Sequence, residues 1–121
     1  MDLKQLTEIN APAGHEQPIR RALLEELKAK GFAPVIDRMG NVVAVKEGKG
    51  AAPRKRVMLS AHMDEVGLIV TSCTEDGFLR VAPAGGVDPR VIISKRVTVG
   101  DDKIPGIIGA MAIPLQSDAD M

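Results

Sequence analysis

The chain has 121 residues and equal numbers of basic and acidic residues, 16 each, which is enough for one modest domain with a single core. A balanced charge creates no net field to attract nucleic acid or an anionic membrane, and two aromatic residues provide no platform for stacking bases. The lone cysteine excludes an intrachain disulfide, and no apolar run approaches the length of a membrane span. The composition predicts a soluble, cytoplasmic protein without nucleic-acid or membrane partners.

The first 65 residues show the mixture of helix and strand signals that is typical of an α/β domain. Apolar residues at helical spacing predict a short helix over residues 2–10, capped by Asp2. A longer helix is predicted from about residue 16 to residue 31, with Pro18 in its first turn. Runs of β-branched and other apolar residues predict short strands at 34–37, 41–45 and 56–61.

The remainder of the chain reads as a series of short strands without a long helix. Asp76-Gly77 is a hairpin signal between two of them. The strands are predicted at 66–73, 78–82, 91–93, 96–99 and 104–108. Many short strands of this kind favour a small barrel, so the sequence predicts two domains, residues 1–65 and residues 66–121.

His62-Met63-Asp64 follows an apolar run and is the candidate site that the sequence indicates most strongly. Neutral imidazole is a common zinc or cobalt ligand, and a nearby carboxylate can accept a hydrogen bond from its second ring nitrogen. Open α/β sheets place ligands at the carboxyl ends of strands, where His62 is predicted to lie. On spacing alone, a metal ligand and a histidine satisfied by a backbone carbonyl are about equally favoured.

Four other polar residues have simpler structural interpretations. His15, before the long helix, favours helix capping or exposure over metal ligation. Glu65 is either part of the site or a solvated turn residue. Asp37 is a catalytic candidate, but turn carboxylates usually bond nearby backbone amides. Cys73 lies in an apolar strand without a neighbouring His or second Cys, which argues against a nucleophile.

Several segments together resemble the start of the glutamyl aminopeptidase and tetrahedral aminopeptidase family, cytosolic dinuclear metallopeptidases of bacteria and archaea. Some members of this family carry an older label as cellulases or endoglucanases. The segments occur in the family's order and extend over nearly the whole chain: Ala13-Gly14-His15-Glu16, Asp37-Arg38-Met39-Gly40-Asn41, Ala61-His62-Met63-Asp64-Glu65-Val66-Gly67, Gly85-Gly86-Val87-Asp88-Pro89-Arg90 and Ile104-Pro105-Gly106-Ile107-Ile108-Gly109. One such motif would be weak evidence, whereas the full ordered set is strong evidence.

The resemblance implies that residues 1–65 begin an α/β catalytic domain and that residues 66–121 begin a barrel-like dimerisation domain inserted into it. It implies that His62 ligates one of two divalent metal ions, zinc or cobalt, and that Asp64 is the catalytic-site carboxylate that orients His62. The substrate would be a peptide that loses its N-terminal residue to a metal-activated water, and the protein would be a homo-oligomer. The family's bridging Asp, its general-base Glu and its remaining ligands would lie further along the polypeptide.

Two classes of function stay open for this chain. One is the N-terminal portion of a metal-dependent aminopeptidase. The other is a catalytically inactive fragment that at most self-associates, because a catalytic zinc site needs about three protein ligands. Pro114 also stands where the family commonly has a His, and proline can neither ligate a metal nor transfer a proton. A glycosidase, suggested by the older label, would need two carboxylates roughly 5–10 Å apart, and no such pair stands out.

Overall fold

A computed structural model of the chain describes residues 1–110. Pro114 and the departure from the family's pattern that it represents lie outside the described residues. The described elements are, in order, α1 (Leu3–Thr7), α2 (Gln17–Ala29), β1 (Val35–Ile36), β2 (Val42–Val43), β3 (Gly67–Cys73), β4 (Leu79–Ala84), α3 (Pro89–Ile92), β5 (Arg96–Val99) and β6 (Ile104–Ile107). Within this range no helix is long and apolar enough to cross a membrane. The mixture of helices and strands agrees with the predicted α/β class.

The chain divides into two compact units, one from Met1 to Gly67 and the other from Leu68 onward. In the first unit, the carboxylate of Asp2 accepts a hydrogen bond from the backbone N–H of Gln5 at 2.8 Å, which caps α1 as predicted. Pro18 lies in the first turn of α2, and this helix lies against β2. β2 pairs with β1 in antiparallel register.

The strand predicted at 56–61 is not present, and this prediction is wrong. The stretch belongs to none of the sheets formed by the described residues, and Leu59 within it is 94% exposed. A continuous apolar run is typical of a strand that neighbouring strands flank and helices cover on both faces. Residues 1–110 do not provide that covering here, so the apolar pattern alone is insufficient to form the strand.

Two antiparallel strand pairs lie in the described part of the second unit. β3 pairs with β4 across a turn in which the backbone N–H of Thr74 donates to the carbonyl of Phe78 at 2.8 Å. Gly77 in this turn has a φ of +84°, which agrees with the predicted Asp-Gly turn. β5 pairs with β6 in antiparallel register. Both pairs were predicted as strands from the sequence.

A short helix replaces one of the predicted strands. Residues 91–93 were expected to be extended, but α3 begins at Pro89 because the Asp88 carboxylate accepts a hydrogen bond from the backbone N–H of Arg90 at 2.9 Å. An Asp cap followed by Pro in the first turn favours a helix over a strand. The described strands of this unit form separate two-stranded sheets, and the barrel stays a prediction.

Candidate active site and metal ligand

The imidazole of His62 contacts Asp64 through two groups, and the hydrogen bond is to the backbone carbonyl, the partner that the simpler of the two sequence interpretations gave it. Its Nδ1 lies 3.0 Å from the backbone carbonyl oxygen of Asp64 and 3.3 Å from the carboxylate oxygen Oδ1 of the same residue. Because a carbonyl oxygen can only accept a hydrogen bond, this contact favours, of the two neutral tautomers, the one with the proton on Nδ1. Nε2 then presents its lone pair on a side chain that is 86% exposed.

His62 and Asp64 line a pocket of about 210 Å³ within the first unit. Its other walls come from the start of α2 and from the turn between β1 and β2. The remaining lining residues are Glu16, Arg20, Met39, Gly40, Asn41, Ala61 and Met63. A concave surface lined by several polar side chains is typical of a binding pocket.

Arg20 joins α2 to the turn that forms one wall of this pocket. Its Nε donates to the carbonyl oxygen of Gly40 at 2.8 Å, and its Nη2 lies 3.8 Å from the Oε2 of Glu16. Gly40 has a φ of +89°, and a Cβ at this position would lie 2.6 Å from the Nη2 of Arg20. The backbone conformation therefore favours glycine, and a side chain here would also force the Arg20 guanidinium to shift.

Asp37 closes the same turn from within. Its Oδ1 accepts hydrogen bonds from the backbone N–H groups of Met39 and Asn41, each at 2.9 Å, and its Oδ2 accepts one from the Nδ2 of Asn41 at 2.8 Å. The bonds from the Asn41 side chain and backbone hold the pKa of Asp37 below its usual value. The prediction that this carboxylate bonds nearby backbone amides is confirmed, and its oxygens are committed to the turn.

Glu65 joins the segment that carries His62 to the segment after α1. Its Oε1 accepts a hydrogen bond from the backbone N–H of Ala11 at 2.9 Å, and its own N–H donates to the Ala11 carbonyl at 3.0 Å. Neither sequence interpretation, a site residue or a solvated turn residue, describes these contacts. They connect positions 54 residues apart, a separation that local sequence patterns do not reveal.

His15 and Cys73, the other residues considered from the sequence, do not line the pocket. The backbone N–H of His15 donates to the Pro12 carbonyl at 2.8 Å in the loop before α2. In the same loop the Glu16 carboxylate accepts from the Gly14 N–H at 2.6 Å, and this bond is the main cause of the lowered pKa of Glu16. Cys73 is exposed in β3.

The described residues do not contain a complete metal centre. Across residues 1–110 no group of three or more His, Cys, Asp or Glu side chains could hold a metal ion, whereas a catalytic zinc site needs about three protein ligands. The exposed His62 side chain, with its Nδ1 bonded to the Asp64 carbonyl and the Asp64 carboxylate beside it, has an arrangement that histidine ligands also have, since their second nitrogen bonds to a carbonyl or a carboxylate. The chemistry of this pair fits one corner of such a centre.

The fold is similar to that of solved structures from other organisms. An endoglucanase from Thermotoga maritima matches with a TM-score of 0.80 at 34% identity, covering 92% of this chain and 34% of that chain. The TET1 peptidase of Pyrococcus horikoshii matches with a TM-score of 0.74 at 33% identity, covering 96% of this chain and 35% of that chain. That peptidase is described as able to assemble into a tetrahedron or a large octahedral shell. The mixed helix-and-strand fold is thus one that peptidases use.

Sequence comparison identifies the family. Residues 40–121 match the family model described as M42 glutamyl aminopeptidase. The glutamyl aminopeptidase of Lactococcus lactis is 38% identical over 112 residues, covering 90% of this chain and 31% of the relative. The chain belongs to the M42 glutamyl aminopeptidase family, which confirms the resemblance recognised from the motifs. It spans about a third of the length of the curated relatives that it matches.

Proposed function

We propose that this chain is the N-terminal portion of a metal-dependent aminopeptidase that hydrolyses N-terminal residues from peptides. Membership of the M42 family supports this class of reaction. The observation that carries the residue assignment is the contact of the His62 Nδ1 with Asp64. It leaves Nε2 to bind one of two divalent ions, zinc or cobalt, while Asp64 orients the ring. No observation favours the alternative, a catalytically inactive module that self-associates.

Each residue of this pair has a separate task. The Asp64 carbonyl accepts a hydrogen bond from Nδ1, and the Asp64 carboxylate lies beside it, so that together they would fix the ring orientation and raise the basicity of Nε2. His62 lines a pocket that also contains groups of both charges, Glu16 and Arg20. When bound, the divalent ions would supply an activated water and polarise the scissile carbonyl. The general base and the other ligands are assigned to the part of the relatives that this chain does not span.

The proposal extends to the larger organisation of the protein. Residues 1–65 would begin the catalytic domain, and residues 66–121 would begin an inserted, barrel-like dimerisation domain through which homo-oligomers form. The shell-forming peptidase of Pyrococcus horikoshii supports the oligomer. A peptide is the proposed substrate, the family resemblance supports a cytoplasmic location, and the balanced charge supports a protein that binds neither nucleic acid nor membranes.

A fusion protein tests the assignment of His62. This chain would be joined in frame to the part of the Lactococcus lactis glutamyl aminopeptidase that follows the matched third. We expect the fusion to retain about two divalent ions after dialysis and to release amino acids from aminoacyl-p-nitroanilides. His62→Ala should lose one ion and should reduce turnover by more than Asp64→Asn, for which a loss of about 10–100-fold is expected. His15→Ala, the other histidine, is the matched control and should retain both ions.

Three results would contradict the proposal. Unchanged metal content in His62→Ala would exclude this residue as a ligand, and a metal-loaded fusion without turnover would exclude the aminopeptidase reaction. The 121-residue chain alone is expected to hold no stoichiometric zinc or cobalt after dialysis, because one histidine is insufficient for tight binding. A tightly held ion in that chain would show that the ligand set has been misassigned.

A further inference from the structure

We propose that Glu65 is a positioning residue that sets the orientation of the His62 imidazole by fastening the peptide group between Asp64 and Glu65 to Ala11. The inference rests on the proposed function for the role of His62, and it adds a residue that acts on the ligand without touching a metal ion. It is carried by two hydrogen bonds, by the burial of Ala11 and by the geometry of one peptide unit.

The peptide unit between Asp64 and Glu65 contacts His62 with one of its polar groups and Ala11 with the other. Its carbonyl oxygen lies 3.0 Å from the Nδ1 of His62, and its N–H donates to the carbonyl of Ala11 at 3.0 Å. A peptide group is planar, and in the trans form its C=O and N–H point in opposite directions. The bond to Ala11 on one side therefore fixes the direction in which the carbonyl meets the imidazole on the other.

The side chain of Glu65 secures this bond from the opposite direction. Its Oε1 accepts from the N–H of Ala11 at 2.9 Å, so both backbone polar groups of Ala11 are engaged by one residue. Ala11 is 1% exposed, and water cannot readily replace the carboxylate at its N–H. Without the Glu65 carboxylate a buried donor would lack its partner, which proteins strongly disfavour.

The neighbouring residues bring the same two segments close together. Pro12 forms a parallel bridge with Glu65, and a Cβ on Gly67 would lie 3.0 Å from the Cβ of Pro12. The absence of a side chain at position 67 thus permits the approach that the Glu65 bonds require. Ala11 and Pro12, in the segment after α1, therefore hold in place the part of the chain that directly follows the His-x-Asp pair.

Substitutions at position 65 separate the reach of the side chain from its charge. Glu65→Gln keeps an acceptor oxygen at the same distance and removes the charge, whereas Glu65→Asp keeps the charge and is one methylene too short. Glu65→Ala removes both. Glu75→Ala, which removes an exposed carboxylate from the turn between β3 and β4, is the matched control.

Two measurements on the 15N-labelled 121-residue chain report on the Ala11 hydrogen bond and on the His62 tautomer. Amide exchange at Ala11 should accelerate about tenfold or more in Glu65→Ala and Glu65→Asp and should change little in Glu65→Gln. Long-range 1H–15N spectra at about pH 8, where imidazole is neutral, should show the Nδ1–H tautomer of His62 in the wild type and in Glu65→Gln. In Glu65→Asp and Glu65→Ala the ring should move towards a mixture of tautomers.

A purely structural role would give a different pattern. Faster exchange at Ala11 with unchanged His62 ring shifts would overturn the positioning role. Unchanged exchange at Ala11 in Glu65→Ala would show that the Glu65 carboxylate does not bond the Ala11 N–H in solution. If Glu65→Ala fails to fold, the comparison of the Asp and Gln variants decides between the same outcomes. Neither measurement uses a metal ion, so a negative result here is distinct from loss of the ligand role, which the fusion protein tests.

Discussion

The two compact units of this chain are stabilised by contacts of different range. In the first unit, hydrogen bonds that shape the pocket join Ala11 to Glu65 and Arg20 to Gly40, which are 54 and 20 positions apart. In the second unit, the described strand pairs join neighbours in the sequence, β3 with β4 and β5 with β6. The candidate site therefore depends on distant contacts, whereas the hairpins contain their own partners.

Two apolar runs show what this difference means for reading a sequence. Residues 56–61 and β3 have similar composition, and both were predicted as strands. β3 forms because the turn at Asp76-Gly77 returns the chain to pair with it, with the Thr71 hydroxyl donating to the Arg80 carbonyl at 3.2 Å. The run at 56–61 has no such hairpin partner, and an apolar pattern without a nearby partner requires neighbours from elsewhere in the chain.

The largest expected effect comes from adding a methyl group to the turn that Arg20 holds. Gly77→Ala in the second unit should cost about 1–2 kcal/mol of unfolding free energy, because its positive φ disfavours a side chain but nothing lies near the new Cβ. Gly40→Ala should cost about 3 kcal/mol, because the Cβ would also displace the Arg20 guanidinium. Urea unfolding followed by circular dichroism measures both.

Removal of the guanidinium tests the cause of that difference. In an Arg20→Ala background, Gly40→Ala should cost no more than Gly77→Ala does, because the displaced group is gone and only backbone strain is left. An unchanged penalty would mean that the distant contact contributes nothing at this turn. The turn at Gly40, which Arg20 contacts, would then be no different from the turn at Gly77, which has only local contacts.

Local signals in the sequence were sufficient for much of the fold. Asp2 and Pro18 marked where helices begin, and Asp76-Gly77 marked a hairpin, because each acts on backbone atoms within a few residues. The contact between His62 and Asp64 could be predicted because two positions of spacing place an acceptor beside Nδ1. Glu65 could not be assigned in this way, since its partner is fixed only when residues 11 and 65 meet in the folded chain.

A smaller effect is expected from the two aspartates whose pKa values are lowered, one in each unit. Hydrogen bonds from Asn41 lower the pKa of Asp37, and the Arg90 side chain lowers that of Asp88. A carboxyl group whose pKa is lower in the folded state stabilises the fold above its unfolded pKa, and that contribution disappears as the pH falls through the folded pKa. Both Asp→Ala variants should therefore differ most from the wild type near neutral pH and little in strong acid.

Removal of the two aspartate side chains should lower the thermal midpoint by different amounts. Asp37→Ala should lower the thermal midpoint near neutral pH more than Asp88→Ala, because the turn it closes also presents the Gly40 carbonyl to Arg20. Asp88 caps only the short α3 and pairs with an exposed arginine. Thermal scans across acid and neutral pH measure both. Equal effects, or an Asp37 effect that persists in strong acid, would contradict this assignment.

The smallest effect on stability, and one specific to association, is expected at the unpaired apolar run. Leu59→Lys should change the unfolding free energy by less than about 0.5 kcal/mol, because this side chain is 94% exposed. It should nevertheless weaken self-association in sedimentation velocity runs over a range of concentrations, since Leu59 and its apolar neighbours form an exposed patch. Ile69→Lys in β3 is the control: its side chain is also exposed, at 53%, so this change adds the same charge outside residues 56–61 and should weaken association less. A marked loss of stability in Leu59→Lys would show that residues 56–61 are covered in solution. The run in the first unit would then be packed, as the paired strands of the second unit are, and the contrast between them would be lost.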